Sequence, residues 1–294
     1  MALARSPRLS SGGPSSMVFE LLHDCFTPED PASGFNLLFD FCTHSAQGRV
    51  SPSTAYLLGA SRLLDLEKPS GGVRPIVVGE VFYRLVARTF GFQFREALAD
   101  HFSPLQFDVA THGGCKTIIH GLRAILDLHP DWVVLQVDIQ NMFNTISREA
   151  LFCELRVATG SLDQLFPFVR SFYARRFPLY FSHYSREDEV TLFSSESSTR
   201  QGDSLGDALF ALAHLRALRT TASKHPLCLF PSLVDDTHIV GSLEAVVPTF
   251  HTLEGHLSVV GLTVQPTKCA AWSPSRLSSS LSLPLGFSLS SARL

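Results

Sequence analysis

Asp235 and Asp236 are adjacent carboxylates set between two apolar runs, Leu233-Val234 and Ile239-Val240. The runs read as strands, and the pair falls where the chain must reverse. By itself such a pair usually marks a solvated hairpin tip. Asp138 gives it a second meaning. It closes the apolar run Trp132-Val133-Val134-Leu135-Gln136-Val137, so a buried strand carries a carboxylate at its C-terminal end. Neighbouring strands would bring Asp138 and Asp235 together, and converging carboxylates cannot all ionise cheaply without a cation. Mg²⁺ suits such a place: it takes hard oxygen ligands, few of them protein carboxylates, and completes its shell with water and substrate phosphate. Two such ions would activate a 3′-hydroxyl and stabilise a leaving pyrophosphate. A two-metal nuclease or phosphatase would use the same acids, so the carboxylates alone leave the reaction open.

A second stretch could meet phosphates. Lys68-Pro69-Ser70-Gly71-Gly72-Val73-Arg74 places two basic residues around a Gly pair that permits positive φ and close backbone approach. The simpler reading is an ordinary hairpin with solvated charges.

The elements that must position these residues follow from patterning. Ser51-Pro52-Ser53 predicts a helix start running to about Leu64, and Val81 to Leu98 has helical apolar spacing. Lys116 to Leu128 carries the stripe Ile118, Ile119, Leu122, Ile125 and Leu126. Ser147 is a candidate N-cap, and Ser161-Leu162-Asp163-Gln164 reads as a capping box for a helix towards Tyr173. Leu179 to Ser182 and Val190 to Phe193 predict a hairpin around the charged loop Arg186-Glu187-Asp188-Glu189. Ala208 to Arg219 is apolar almost all round and predicts a buried helix. Leu227 to Val234 and Thr237 to Val240 flank the acid pair as strands. A helix over Leu243 to Val259, capped by Gly261, leads to a short strand at Leu262 to Val264.

With 294 residues, 45% of them hydrophobic, the chain can bury a large core. The net charge of -3 mildly disfavours a nucleic-acid partner, though a local basic channel is compatible with it. The six Cys form no CxxC pair and read as reduced, mostly buried small apolar residues. No run approaches the roughly 18 apolar residues needed to span a bilayer, so no membrane partner is expected. Residues 1–16 predict a disordered leader, weakly similar to an organellar transit peptide. Residues 273–294 form a Ser/Leu-rich, low-complexity tail.

Five blocks in fixed order resemble the reverse transcriptase family, in its non-LTR, LINE-like retrotransposon form. They are Lys68 to Ile76, Leu135 to Asn144, Gln201 to Gly206, Leu233 to Asp236, and Gly261 to Lys268. The resemblance implies an α+β right-hand polymerase fold over residues 17–272: fingers, and a palm whose antiparallel sheet is backed by helices. Few residues follow Lys268, so the thumb is expected to be absent or vestigial. It also implies an RNA-directed DNA polymerase joining dNTPs to a DNA primer on an RNA template, with two Mg²⁺ or Mn²⁺ ions.

Residue by residue, Asp138 and Asp235 would be the principal metal ligands, with Asp236 supporting them. Phe143 would be the steric gate against a ribose 2′-hydroxyl. Gln201 and Gly202 would shape the nucleotide pocket, Arg74 and Lys68 would hold the triphosphate, and Lys268 would protonate pyrophosphate. The resemblance favours an intracellular, nuclear location. Leu233 departs from the family, which usually has an aromatic there. The alternative is an inactive or domesticated retroelement fragment that binds nucleic acid or a partner without polymerising.

Overall fold

The computed structural model of the chain describes residues 2–24, 31–69, 71–158, 160–183, 189–275 and 283–289. The first elements are α1 (Phe19–Asp24), α2 (Pro31–Ala46), α3 (Pro52–Gly59), β1 (Ser61–Glu67), β2 (Val73–Gly79), α4 (Val81–Gln93), α5 (Arg95–Phe102) and α6 (Gly114–Leu128). Next come β3 (Val133–Val137), β4 (Ile139–Gln140), α7 (Met142–Thr145), α8 (Arg148–Val157), α9 (Phe166–Tyr173), β5 (Phe177–Ser182) and β6 (Val190–Ser195). The remainder are α10 (Gly206–Lys224), β7 (Ser232–Leu233), β8 (Asp236–Gly241), α11 (Leu243–Val259), β9 (Thr263–Val264), β10 (Ala270–Trp272) and β11 (Ser288–Leu289).

These elements fall into two units that interleave along the chain. One comprises residues 1–95 and 155–207, the other residues 96–154 and 208–294. The first holds a four-stranded sheet, β2-β1-β5-β6, in which only β1 and β5 run parallel. Its core is aromatic: Phe90, Phe168, Phe172, Tyr83 and Phe177 are all buried, and Tyr83 meets Phe172 at 4.9 Å between ring centroids. The second unit holds a five-stranded sheet, β11-β10-β3-β8-β7, and the small pair β4-β9. Central β3 is antiparallel to both neighbours, and Val133, Val134, Leu135 and Val137 are buried. Ile118, Leu122 and Leu126 of α6 pack on Val134 and Val240. The predicted α6 stripe, apart from exposed Ile119, therefore covers the sheet strands that lead to the acids.

Several expectations are corrected. The expected helix to Leu64 stops at Gly59; Ala60 is extended, and Ser61 to Glu67 pairs residue for residue with β2. Seven ladder pairs outweigh the local helical propensity of Arg62-Leu63-Leu64. The Val81 to Leu98 helix breaks at Phe94 into α4 and α5. Ser161 makes no side-chain cap; a 3₁₀ turn, Leu162–Leu165, precedes α9 instead. Of the strand expected over Leu227 to Val234, only Ser232–Leu233 forms, preceded by a single bridge between Leu229 and Val240. Only Cys228 and Cys269 of the described cysteines are buried. Cys25, Ser70 and Arg186 to Asp188 lie outside the described residues.

The two terminal stretches also differ from expectation. Ala2 is buried with Phe19, Leu22, Val81 and Leu85. The Glu80 carboxylate accepts hydrogen bonds from the Ser15 amide and hydroxyl, and Arg84 donates to the Ser11 carbonyl. The leader is thus laid along α4. In the tail, β11 adds to β10 as a parallel strand, and Phe287 meets Phe250 at 4.9 Å.

The expected buried helix is present as α10, and it encloses His214. That imidazole is fully buried, stacks on Phe210 at 5.3 Å, and finds no hydrogen-bond partner for either ring nitrogen among the described residues. Burial pushes its pKa from 6.5 down to about 4. Between these values the unfolded chain takes up a proton that the folded chain refuses, so stability falls as pH drops through that window. The expected loss is about 3 kcal/mol by pH 4. His214→Leu should remove that part of the acid sensitivity when melting temperature is followed against pH.

Candidate carboxylate site

In the second unit, the β3–β8 ladder positions the acids. Its last rung pairs Val137 with Thr237, so Asp138 and Asp236 each directly adjoin that rung. Leu233 pairs with Asp236, leaving Val234-Asp235 as a two-residue hairpin loop. Val234 has φ +55° and Asp235 does not have a positive φ, the sign pattern of a type II′ turn. Asp236 is exposed, whereas Asp235 and Asp138 are half-buried.

Asp138 occupies the single residue between β3 and β4. Its amide donates to Cys269 Sγ at 3.3 Å, and its carbonyl accepts from Gln265 N at 2.9 Å. Strand pair β4-β9 places the 3₁₀ turn Pro266–Lys268 alongside, and Lys268 Nζ lies 4.0 Å from Asp138 Oδ1. Burial lifts the Asp235 carboxyl above its ordinary pKa, with the charges of Asp236 and Asp138 adding to it and backbone hydrogen bonds opposing it. Asp235 therefore feels the charge of both other acids. Phe143, on α7, is buried with its ring 5.5 Å from that of Phe210.

Among the described residues, no group of three or more His, Cys, Asp or Glu side chains is arranged to hold a metal ion. The donor chemistry nevertheless suits a hard divalent cation. Asp138 and Asp235 offer carboxylate oxygens in mutual repulsion, and such an ion takes one or two protein carboxylates with water and phosphate for the rest.

The other expected residues lie in the first unit. Lys68 and Gly71 close the β1–β2 hairpin turn through Lys68 N to Gly72 O and Gly71 N to Lys68 O, at 3.0 and 2.9 Å. Arg74 is exposed on β2, opposite Leu66. Further along the same strand, Val77 N donates to Gln201 O at 2.7 Å, docking the 201–202 turn on β2. Gly202 has φ +96°, and a Cβ there would sit 2.6 Å from Val77 O. Gly202→Ala should therefore cost ~1–3 kcal/mol, seen as a lower melting temperature.

Sequence reasoning missed what fixes that turn. Tyr83 and Tyr173 hydroxyls both donate to Asp203 Oδ2, at 2.6 and 2.7 Å, and Leu205 N donates to Oδ1 at 2.9 Å. Buried Arg200 donates to the carbonyls of Gly59 and Phe172 at 3.0 and 2.7 Å, with its guanidinium 4.9 Å from the Tyr173 ring centre. Burial first, then the Asp203 charge, holds both phenols well above their ordinary pKa, so they remain donors. A signal existed: the chain has 23 Phe and only 5 Tyr, so a buried Tyr marks a place where a hydroxyl is used.

The family model for reverse transcriptase (RNA-dependent DNA polymerase) matches residues 66–287. No curated protein sequence matches the chain. Similar solved structures include a telomerase from Candida albicans in complex with a TWJ fragment of telomeric RNA, at 13% identity and TM-score 0.56, covering 76% of this chain and 44% of that one. Apo telomerase from Candida tropicalis is similar at 14% identity and TM-score 0.57, covering 83% and 50%. Its form truncated from the C-terminal domain gives 14%, 0.54, 79% and 52%. At these identities the likeness concerns the fold, which is the right-hand polymerase fold with mixed α and β elements. The chain spans about half the length of these structures.

Proposed function

The chain belongs to the reverse transcriptase (RNA-dependent DNA polymerase) family, and from that premise we propose that it extends a DNA primer with dNTPs on an RNA template. The observation that carries this reading is the placing of Asp138 and the Val234-Asp235 turn at the same end of two adjacent strands, with Asp235 feeling the charge of Asp138. Asp138 and Asp235 would hold the divalent cations, Mg²⁺ or Mn²⁺, with Asp236 supporting them. Bound cations would lower the pKa of the primer 3′-hydroxyl and neutralise the departing pyrophosphate. Lys268, whose ammonium lies 4.0 Å from Asp138 Oδ1, would supply a proton to that pyrophosphate. The family resemblance would assign Arg74 and Lys68 to the triphosphate, Gln201 and Gly202 to the nucleotide, and Phe143 to the gate against a 2′-hydroxyl. The block order supports a non-LTR retrotransposon origin.

Leu233, which stands beside the acid pair where the family usually has an aromatic, favours one other reading, a retroelement remnant that binds nucleic acid without polymerising. Primer extension on an RNA template with Mg²⁺ or Mn²⁺ separates the two. The wild type should incorporate dNTPs and Asp235→Ala should not. Equal incorporation by both proteins removes the polymerase reading. No incorporation by the wild type, with salt-sensitive RNA binding retained, favours the remnant.

A further inference from the structure

Val234 is out of place by its chemistry. A β-branched residue in the left-handed region is a backbone outlier, and the first position of such a turn normally calls for glycine. Something must hold it there, and the turn's own two residues cannot. The partner is 128 positions away. Gln106 Oε1 accepts from Val234 N at 3.0 Å, while Gln106 Nε2 donates to Val234 O at 3.2 Å. Both backbone groups of the strained residue are thus taken by one side-chain amide. The amide orientation is fixed by its surroundings, since Oε1 also accepts from Phe107 N at 3.1 Å and Asp108 N at 3.2 Å. Reversing the amide would set N–H groups against N–H groups.

The amide is also well anchored. Gln106 is 1% exposed. Its loop is tied to β7 by Phe107 N to Ser232 O and Ser232 N to Leu105 O, both at 2.9 Å, and Gln106 N donates to Phe102 O at 3.0 Å. The frame that holds Gln106 is therefore continuous with the strand that enters the turn.

We propose that Gln106 is a positioning residue for the carboxylate hairpin: its amide clamps Val234 in the left-handed conformation and so fixes the placement of Asp235 relative to Asp138. The consequence for metal binding rests on the polymerase reading of the site; the clamp itself does not. Without the clamp, Val234 relaxes towards negative φ and Asp235 turns with it. Glycine at position 234 adopts the same conformation without help, so it substitutes for the clamp.

The test uses the full chain with Gln106→Met, Val234→Gly and the double variant. Three quantities are followed: hydrogen exchange at the Val234 amide, Mn²⁺ affinity by calorimetry, and melting temperature. Gln106→Met should speed Val234 exchange and weaken Mn²⁺ binding, each about 10-fold or more, and adding Val234→Gly should restore much of the Mn²⁺ affinity. A role confined to general packing would lower the melting temperature with no such rescue, and that result overturns the proposal. So do wild-type exchange and wild-type Mn²⁺ affinity in Gln106→Met. If neither protein binds Mn²⁺ but the variant's Val234 amide exchanges faster, the clamp stands and the metal-site reading fails. Should Gln106→Met not fold, Gln106→Asn, whose amide is one methylene too short to keep both bonds to Val234, carries the same measurement.

Discussion

Asp235→Asn should abolish nucleotide incorporation while raising the melting temperature of the metal-free protein. The two effects share one cause. Asp235 is held half-buried, beside Asp236 and within reach of Asp138, so its carboxylate is disfavoured when no cation is present. A carboxyl whose folded pKa is raised gives stability that is full at low pH and is lost as pH rises through that pKa. The metal-free wild type should therefore weaken as pH climbs above the ordinary carboxylate range, and Asp235→Asn should lack that decline. A gain of a few degrees at neutral pH is expected, visible by calorimetry in the presence of a chelator. In the polymerase reading the same charge is what attracts the cations. Removing it should cost incorporation ~10³-fold or more, about 4 kcal/mol of transition-state stabilisation. A variant that is more stable yet inactive distinguishes a functional carboxylate from a solvated hairpin tip, where neither quantity would move.

Asp203→Ala should cause the largest loss of stability. It leaves two buried phenol hydroxyls without their acceptor and removes the carboxylate beside a fully enclosed guanidinium. Breaking such an arrangement from one side typically costs about 3–5 kcal/mol, and roughly 10 °C or more in a domain of this size. Asp203→Asn keeps an acceptor for the phenols and should lose less. Tyr173→Phe removes one hydroxyl and should cost ~1–2 kcal/mol. Thermal melts of the three variants should rank in that order. Because Asp203 directly follows Gln201-Gly202, the same substitution should loosen the turn that docks on Val77. Activity should then fall more in Asp203→Ala than stability at the assay temperature accounts for.

The elements with a strong repeating pattern were legible in the sequence. The α6 helix, the continuous apolar run of β3, the all-round apolar α10 and the end of α11 before Gly261 are all found. The pairing of the strand that ends before Asp138 with the strand that follows the Asp235 turn was also legible, because both carry strong apolar strand signals. What escaped reading depends on partners distant in sequence. Ser61 to Leu64 has helical propensity and becomes strand only because β2 returns to pair with it. Gln106 reads as an ordinary polar loop residue, and its meaning lies in the backbone of Val234. Arg200 and Asp203 read as part of a polar turn, yet they are tied to Tyr83 and Tyr173 from two other helices. In each case a side chain satisfies groups that local sequence does not reveal.

The central claim is that Asp138 and Asp235 form one cation site. Iron(II)-directed backbone cleavage tests it most directly, because a bound iron cuts the chain within a few ångströms of where it sits. With Fe²⁺, ascorbate and peroxide, the full chain should be cut near Asp138 and near Asp235 together, Mg²⁺ should protect both positions, and Asp235→Asn should abolish both cuts at once. Cleavage at one of the two positions alone, or cleavage at both that persists in Asp235→Asn, would contradict the claim.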